Sequence, residues 1–254
     1  MQHVNGKQLF VERAGEGPAI VFIHGLGGTT NFYQPQARAL ADRHTVVRFD
    51  LPGAGRSPFA GPVSVESLAD DIDGVLDLEA AAGASLVAHS MSTLVAAHYA
   101  ATRPDRVERL VLLGPVRELQ APAKEATRAR AATVRERGME AVADAIVAAA
   151  TSEQTRTEQP AVAAFVRELL MGQDPLGYAA HCEALANATE PALTRITAPV
   201  LLLRGSEDKV SSPSIAEAIA RELPAATYRV IEGIGHWTAL EAAQMVTDAL
   251  TDFL

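Results

Sequence analysis

The sequence predicts an α/β fold, a mostly parallel, doubly wound sheet with helices on both faces, and three observations carry that prediction. Short apolar runs rich in Val, Ile and Leu recur along the chain: "PAIVFIHG" (18–25), "HTVVRFD" (44–50), "SLVAHS" (85–90), "RLVLLG" (109–114), "PVLLLRG" (199–205) and "TYRVIEG" (227–233). Their hydrophobicity is continuous, which suits parallel strands buried on both faces, whereas a half-solvated strand alternates. The segments between them, such as "SVESLADDIDGVLDLEAAAG" and "MSTLVAAHYAATRPDR", have helical composition and spacing. That βαβ rhythm, with right-handed crossovers, builds an open parallel sheet.

Taken in order, the opening "VNGKQLFVERAGEGP" reads as a hairpin or meander with Asn5-Gly6 at its turn, and this segment is expected to make the sheet mixed. A helix follows Ser64, with Ser67, Glu66 and Asp70 favouring its start and Gly83 available to end it. After "RLVLLG" the strand pattern disappears for some eighty residues. Ala-rich helical text replaces it, punctuated by Gly138, Pro160, Gly172 and Pro175 into about four helices. Residues 1–114 and 196–254 are therefore expected to form the core, and 115–195 an inserted helical lid.

Composition limits the partners. The 254 residues are 48% hydrophobic and carry a net charge of −9, so no basic stripe is available to neutralise phosphates, and nucleic acid is not an expected partner. The N-terminal "MQHVNGKQLFVERAGEGP" lacks a secretory pattern and no apolar run approaches a membrane span, which leads to the expectation of a cytoplasmic protein without membrane contact. A lone cysteine, Cys182, allows no internal disulfide and no zinc pattern, so no structural metal is expected.

In open parallel sheets the reactive groups gather beyond the carboxyl ends of the strands, and four polar features occupy such ends here. Ser90 follows "SLVAH" and precedes "MSTLVAAHYA", a strand-to-helix turn with small neighbours at Ala88 and Ser92. Such a turn exposes the serine Oγ and aims the next backbone N–H, that of Met91, at the same point. The glycine-rich "FIHGLGGTT" (22–30) can supply a second N–H from Leu26, giving two donors for an oxyanion. It lacks the Lys-Ser/Thr ending of a phosphate loop. Asp208 in "LLLRGSEDKV" and His236 in "VIEGIGHWTALE" each follow their own strand, and the chain order Ser, Asp, His is the order of a nucleophile, acid and base on this type of sheet.

On these motifs, and on "DLPGAGRS" (50–57) and "RPDRVERLVLLGP" (103–115), the chain resembles an α/β hydrolase over essentially its whole length, and within that superfamily the 3-oxoadipate enol-lactonase and carboxylesterase group. The resemblance implies a serine hydrolase with Ser90 as nucleophile, His236 as base, Asp208 as acid, and Leu26 and Met91 as the oxyanion hole. Two departures stand out. Ala88 and Ser92-Thr93 replace the usual glycines around the nucleophile, which predicts a tighter elbow and a more polar pocket floor. In some relatives the acid follows the strand before the lid, where Glu118 stands.

The expected substrate is a carboxylic ester or lactone, cleaved with water through an acyl-enzyme, and this serine chemistry calls for no cofactor. A carbon–carbon bond hydrolase acting on a vinylogous diketone and a triad-bearing ligand receptor remain the rival readings. Trp237 either packs the last helix or touches substrate. Phe165, Met171 and Tyr178, with Leu169, Leu170 and Leu176, either line an apolar pocket or pack lid to core. His24 and His89 read as scaffold histidines, the Asp50–Ser57 turn as architectural, and the protein as a monomer or homodimer.

Overall fold

The computed structural model describes residues 1–254. A hairpin of β1 (Gln2–Val4) and β2 (Lys7–Leu9) turns through Asn5 and Gly6, both at positive φ. It stands apart as a two-stranded sheet. Beyond it run β3 (Val11–Ala14), β4 (Ala19–Ile23), β5 (Thr45–Phe49), β6 (Ala84–His89), β7 (Val107–Leu113), β8 (Val200–Gly205) and β9 (Ala226–Ile231). They form one sheet in the order β3-β5-β4-β6-β7-β8-β9, in which only β3 is antiparallel. The sheet is mixed, as expected, and the strand that makes it so is β3, which lies in the opening segment beyond the Asn5-Gly6 hairpin. The Phe10 N–H is given to the Ser57 hydroxyl at 2.8 Å, and this break separates the hairpin from β3.

Residues along the strands divide between two cores. Val21, Leu86, Leu110 and Leu202 pack on one face, while their neighbours Phe22, Val87, Val111 and Leu203 pack on the other. Covering both faces explains why the strand sequences show no alternation. Helices α1 (Gln34–Leu40), α2 (Val65–Leu78) and α3 (Met91–Thr102) fill the first crossovers. Ser64 and Ser67 close a reciprocal capping box at the start of α2. Its end differs from expectation: the helix stops at Leu78 and Ala80, at φ 51°, makes the left-handed turn, leaving Gly83 in the link to β6.

Between β7 and β8 lie five helices rather than four: α4 (Ala121–Arg137), α5 (Ala143–Ala150), α6 (Glu153–Glu158), α7 (Pro160–Met171) and α8 (Pro175–Asn187). The additional break falls inside "AIVAAATSEQT", where Thr151 turns extended and the Ser152 hydroxyl caps a new helix through the Thr155 N–H. After β8 come α9 (Pro213–Glu222), α10 (Thr238–Glu241) and α11 (Ala243–Phe253). No helix is long and apolar enough to cross a membrane.

The inserted helices are seated on the core backbone itself. A Cβ at Gly177 of α8 would lie 1.9 Å from the carbonyl oxygen of Gly53, so only glycine allows this approach. Gly177→Ala is accordingly expected to lower unfolding free energy by about 1–3 kcal/mol through overpacking, measured by urea denaturation.

Candidate active site

Ser90 sits between β6 and α3 at φ 54°, ψ −125°, a conformation that costs a non-glycine residue about 1–3 kcal/mol. Hydrogen bonds hold it there: the Ser90 N–H donates to Leu113 O at 3.0 Å, and Ser90 O accepts from the Thr93 N–H and hydroxyl at 2.8 and 2.6 Å. Close packing explains the small residues around it. A Cβ at Gly25 would fall 2.8 Å from both Ser90 Cβ and His89 O, so the glycine-rich loop lies directly against the serine. The hydroxyls of Ser92 and Thr93 do not make the pocket floor more polar. Ser92 donates to His24 O at 2.6 Å and Thr93 accepts from the Val116 N–H at 3.1 Å, which uses them to fasten neighbouring loops.

His236 bridges the other two groups. Its Nδ1 lies 2.8 Å from Asp208 Oδ2 and its Nε2 lies 2.8 Å from Ser90 Oγ. Because the carboxylate can only accept, Nδ1 carries the proton and Nε2 is the lone pair that receives the serine hydroxyl. The other carboxylate oxygen, Oδ1, accepts the N–H groups of Val210 and Ser211, both at 2.8 Å. Burial by itself would raise the Asp208 pKa; the His236 imidazole and the two backbone donors outweigh it and hold the acid below the ordinary carboxylate value.

The loops carrying Asp208 and His236 are tied side by side. The Glu207 N–H donates to Ile234 O at 2.9 Å and the Gly233 N–H to the Ser206 hydroxyl at 2.8 Å. Gly114, at φ 53°, closes the space behind them: an added Cβ would stand 2.9 Å from His236 Nδ1 and 3.1 Å from Asp208 Oδ2. Glu118, the other candidate acid, is elsewhere, bonded to Lys124 Nζ at 2.7 Å.

Neither the Leu26 nor the Met91 N–H is given to another protein acceptor, which leaves both free at the loop and helix start that flank Ser90. The scaffold histidines are held as neutral rings. His24 Nδ1 donates to Gly25 O at 2.9 Å while Nε2 accepts the Leu51 N–H at 3.0 Å. His89 Nε2 donates to the His236 carbonyl at 2.8 Å. The Asp50 carboxylate accepts from the N–H of Thr30 at 2.6 Å and of Arg56 at 2.9 Å, fixing the turn that follows β5.

A cavity of about 510 Å³ opens over Ser90 and His236. Leu26, Tyr178 and Trp237 line it, whereas Phe165 and Met171 do not. Phe165 is 37% exposed on the outer side of α7 and Met171 packs at the edge of the core, because α7 turns its Val166–Leu170 face inward instead. Most of the apolar wall comes from residues the sequence did not single out: Ala129 of α4, Ala141, Val142, and Ala145, Ile146 and Ala149 of α5. Their spacing of four, 141-145-149 and 142-146-150, was the available sign, since it marks one helical face. A second hollow of about 810 Å³ meets the first at Ser90, Arg130, Leu185 and Val210 and is lined by Arg117, Glu118 and Lys209.

A model of the alpha/beta hydrolase fold matches residues 18–243. The chain belongs to the α/β-hydrolase family. Among relatives of this hydrolase, 3-oxoadipate enol-lactonase 2 of Acinetobacter baylyi is 27% identical over 235 residues, covering 92% of this chain and 87% of that protein. Among solved structures, the enol-lactonase of Burkholderia xenovorans LB400 is 31% identical with a TM-score of 0.93, covering 98% of this chain and 97% of that one. An esterase of Thermogutta terrifontis, solved with malate bound, is 29% identical with a TM-score of 0.92, covering 96% and 92%.

Burial also sets the acid limit of this α/β hydrolase. It pushes His89 and His181 down to about 3, with the nearby His236 and His24 rings adding to the effect. The unfolded chain takes up those protons near pH 6.5, so the stability they confer is complete above about 6.5 and is lost as pH falls toward 3. The midpoint of urea unfolding is expected to fall steadily between pH 6.5 and 4, and His181→Leu to flatten that slope. Gly114→Ala tests the packing behind the His236 ring: any hydrolytic activity that depends on this ring is expected to drop about 10-fold or more by its displacement, with the fold retained by circular dichroism.

Proposed function

We infer that the protein is a serine hydrolase that cleaves a carboxylic ester or lactone through an acyl-enzyme. One observation carries the reading: a single buried imidazole stands 2.8 Å from a strained serine hydroxyl on one side and 2.8 Å from a buried carboxylate on the other. In that arrangement His236 takes the Ser90 proton as Oγ attacks the substrate carbonyl carbon, and Asp208 stabilises the imidazolium that forms. The carbonyl oxygen, now carrying the negative charge, is received by the Leu26 and Met91 N–H groups. His236 then gives its proton to the departing alcohol oxygen, the carbon–oxygen bond breaks, and Ser90 keeps the acyl group. Water activated by the same imidazole releases the acid. In a lactone the alcohol stays attached to the acyl chain and a hydroxy acid is the only product.

The shape of the cavity supports a division of the substrate. The limb under α5, walled by Ala145, Ile146 and Ala149, suits an apolar acyl chain, and the hollow lined by Arg117 and Lys209 suits a more polar alcohol portion. The Ser-His-Asp assignment, the two oxyanion donors and a capping role for residues 115–195 all belong to this reading.

Ser90→Ala is expected to lower kcat on p-nitrophenyl butyrate by at least about 10³-fold while the thermal unfolding midpoint stays within a few degrees. Full activity in that variant refutes the assignment. Ala145→Phe fills the apolar limb and is expected to reduce kcat/KM for the octanoate ester far more than for the acetate; equal losses would place the acyl chain elsewhere.

A further inference from the structure

His236 lies in the irregular stretch between β9 and α10, yet its ring must meet a hydroxyl and a carboxylate at once. One buried side chain gathers that stretch. Glu241, 3% exposed at the end of α10, accepts the Trp237 N–H on Oε1 at 2.9 Å. Its Oε2 accepts three further groups: the Gly235 N–H at 3.1 Å, the Ser152 N–H at 2.8 Å and the Thr155 hydroxyl at 2.8 Å. Two of the four donors therefore flank His236 in sequence, and the other two belong to the inserted segment at the start of α6. The His236 backbone is pinned in the same way, its N–H donating to Ala150 O at 2.8 Å and its carbonyl accepting from His89. Gln159, at the start of α7, donates to the Glu241 carbonyl at 3.3 Å.

We propose that Glu241 is a positioning residue, which fixes the backbone on both sides of His236 and locks it to residues 150–159, so that the inserted helices and the imidazole are set in place together. The chemistry of the side chain fits that role. Three backbone N–H groups and the Thr155 hydroxyl surround it, a demand that two carboxylate oxygens meet and that an amide does not, because its NH2 would face either the Trp237 N–H or the N–H groups of Gly235 and Ser152. Removing the side chain takes the acceptor away from three buried backbone N–H groups, those of Ser152, Gly235 and Trp237. The loop is then free to turn the imidazole away from Ser90, although no catalytic group has been changed.

The proposal rests on reading Ser90 and His236 as nucleophile and base, and its test includes a readout that does not need turnover. Glu241→Gln, Glu241→Ala and Thr155→Val are compared with wild type at a temperature where circular dichroism shows each folded. Kinetics on p-nitrophenyl butyrate and the downfield proton resonance of the His236 Nδ1–H are recorded. Expected are a kcat loss of about 100-fold in Glu241→Ala, about 10-fold in Glu241→Gln and a few-fold in Thr155→Val, with KM within about 3-fold. The downfield resonance is expected to broaden or vanish in Glu241→Ala. A folded Glu241→Ala with wild-type kcat and an unchanged resonance overturns the proposal, including the case in which only its melting temperature falls. If Glu241→Ala does not fold, Thr155→Val decides, and wild-type kcat with an unchanged resonance overturns it. If wild type shows no ester turnover, the reading of Ser90 fails on its own, and the resonance in the variants still decides the role of Glu241.

Discussion

Everything at this site depends on one imidazole being shared between two partners that come from different strands. His236 follows β9, Asp208 follows β8 and Ser90 follows β6, and the parallel sheet brings all three to the same rim. A hydrogen bond of 2.8 Å on each side of a five-membered ring leaves little room for error, since a displacement of about 1 Å can cost about 100-fold in rate. Much of the surrounding structure is explained by that tolerance: the glycine at 114 behind the ring, the glycine at 25 against the serine, and the bonds that join the 206–208 and 233–235 loops.

The electrostatics follow from the same packing. Asp208 keeps its charge because an imidazole and two backbone N–H groups offset its burial. His89 and His24, equally buried but without a carboxylate bonded to their rings, stay neutral and act through their hydrogen bonds, one on the His236 carbonyl and one on the turn after β5. Chemically similar side chains thus take different parts in one neighbourhood because their partners differ.

The framework of the fold was legible in the sequence because its periodicity is local. Strands buried on both faces write continuous apolar runs, and the order of Ser90, Asp208 and His236 follows from three strand ends. What was not legible depends on tertiary contact. Whether Phe165 or Ala145 faces the cavity is decided by how α7 and α5 rotate against the core; the spacing of four in 141–150 marks a face but not what that face meets. The break at Thr151 is hidden in the same way, since alanine on its N-terminal side favours helix while the cap at Ser152 ends it. Glu241 escaped notice because a glutamate near a chain's last helix is ordinarily solvated, and only the fold reveals four donors around it.

The inserted helices share an apolar cluster with one face of the sheet and are fastened by polar and close-packed contacts that include Gly177 on Gly53, Gln173 on the carbonyls of Gly27 and Gly28, and residues 150–155 on the His236 loop. They wall much of the cavity and hold the loop of His236 at once. The central claim, that the position-90 hydroxyl is a nucleophile activated by its neighbours, is tested most directly by peptide mass mapping after incubation with a fluorophosphonate. The account predicts one stoichiometric adduct, on the peptide holding residue 90, formed far more slowly when His236 is replaced by Ala. Labelling at another residue, or an unchanged rate without the imidazole, would contradict it.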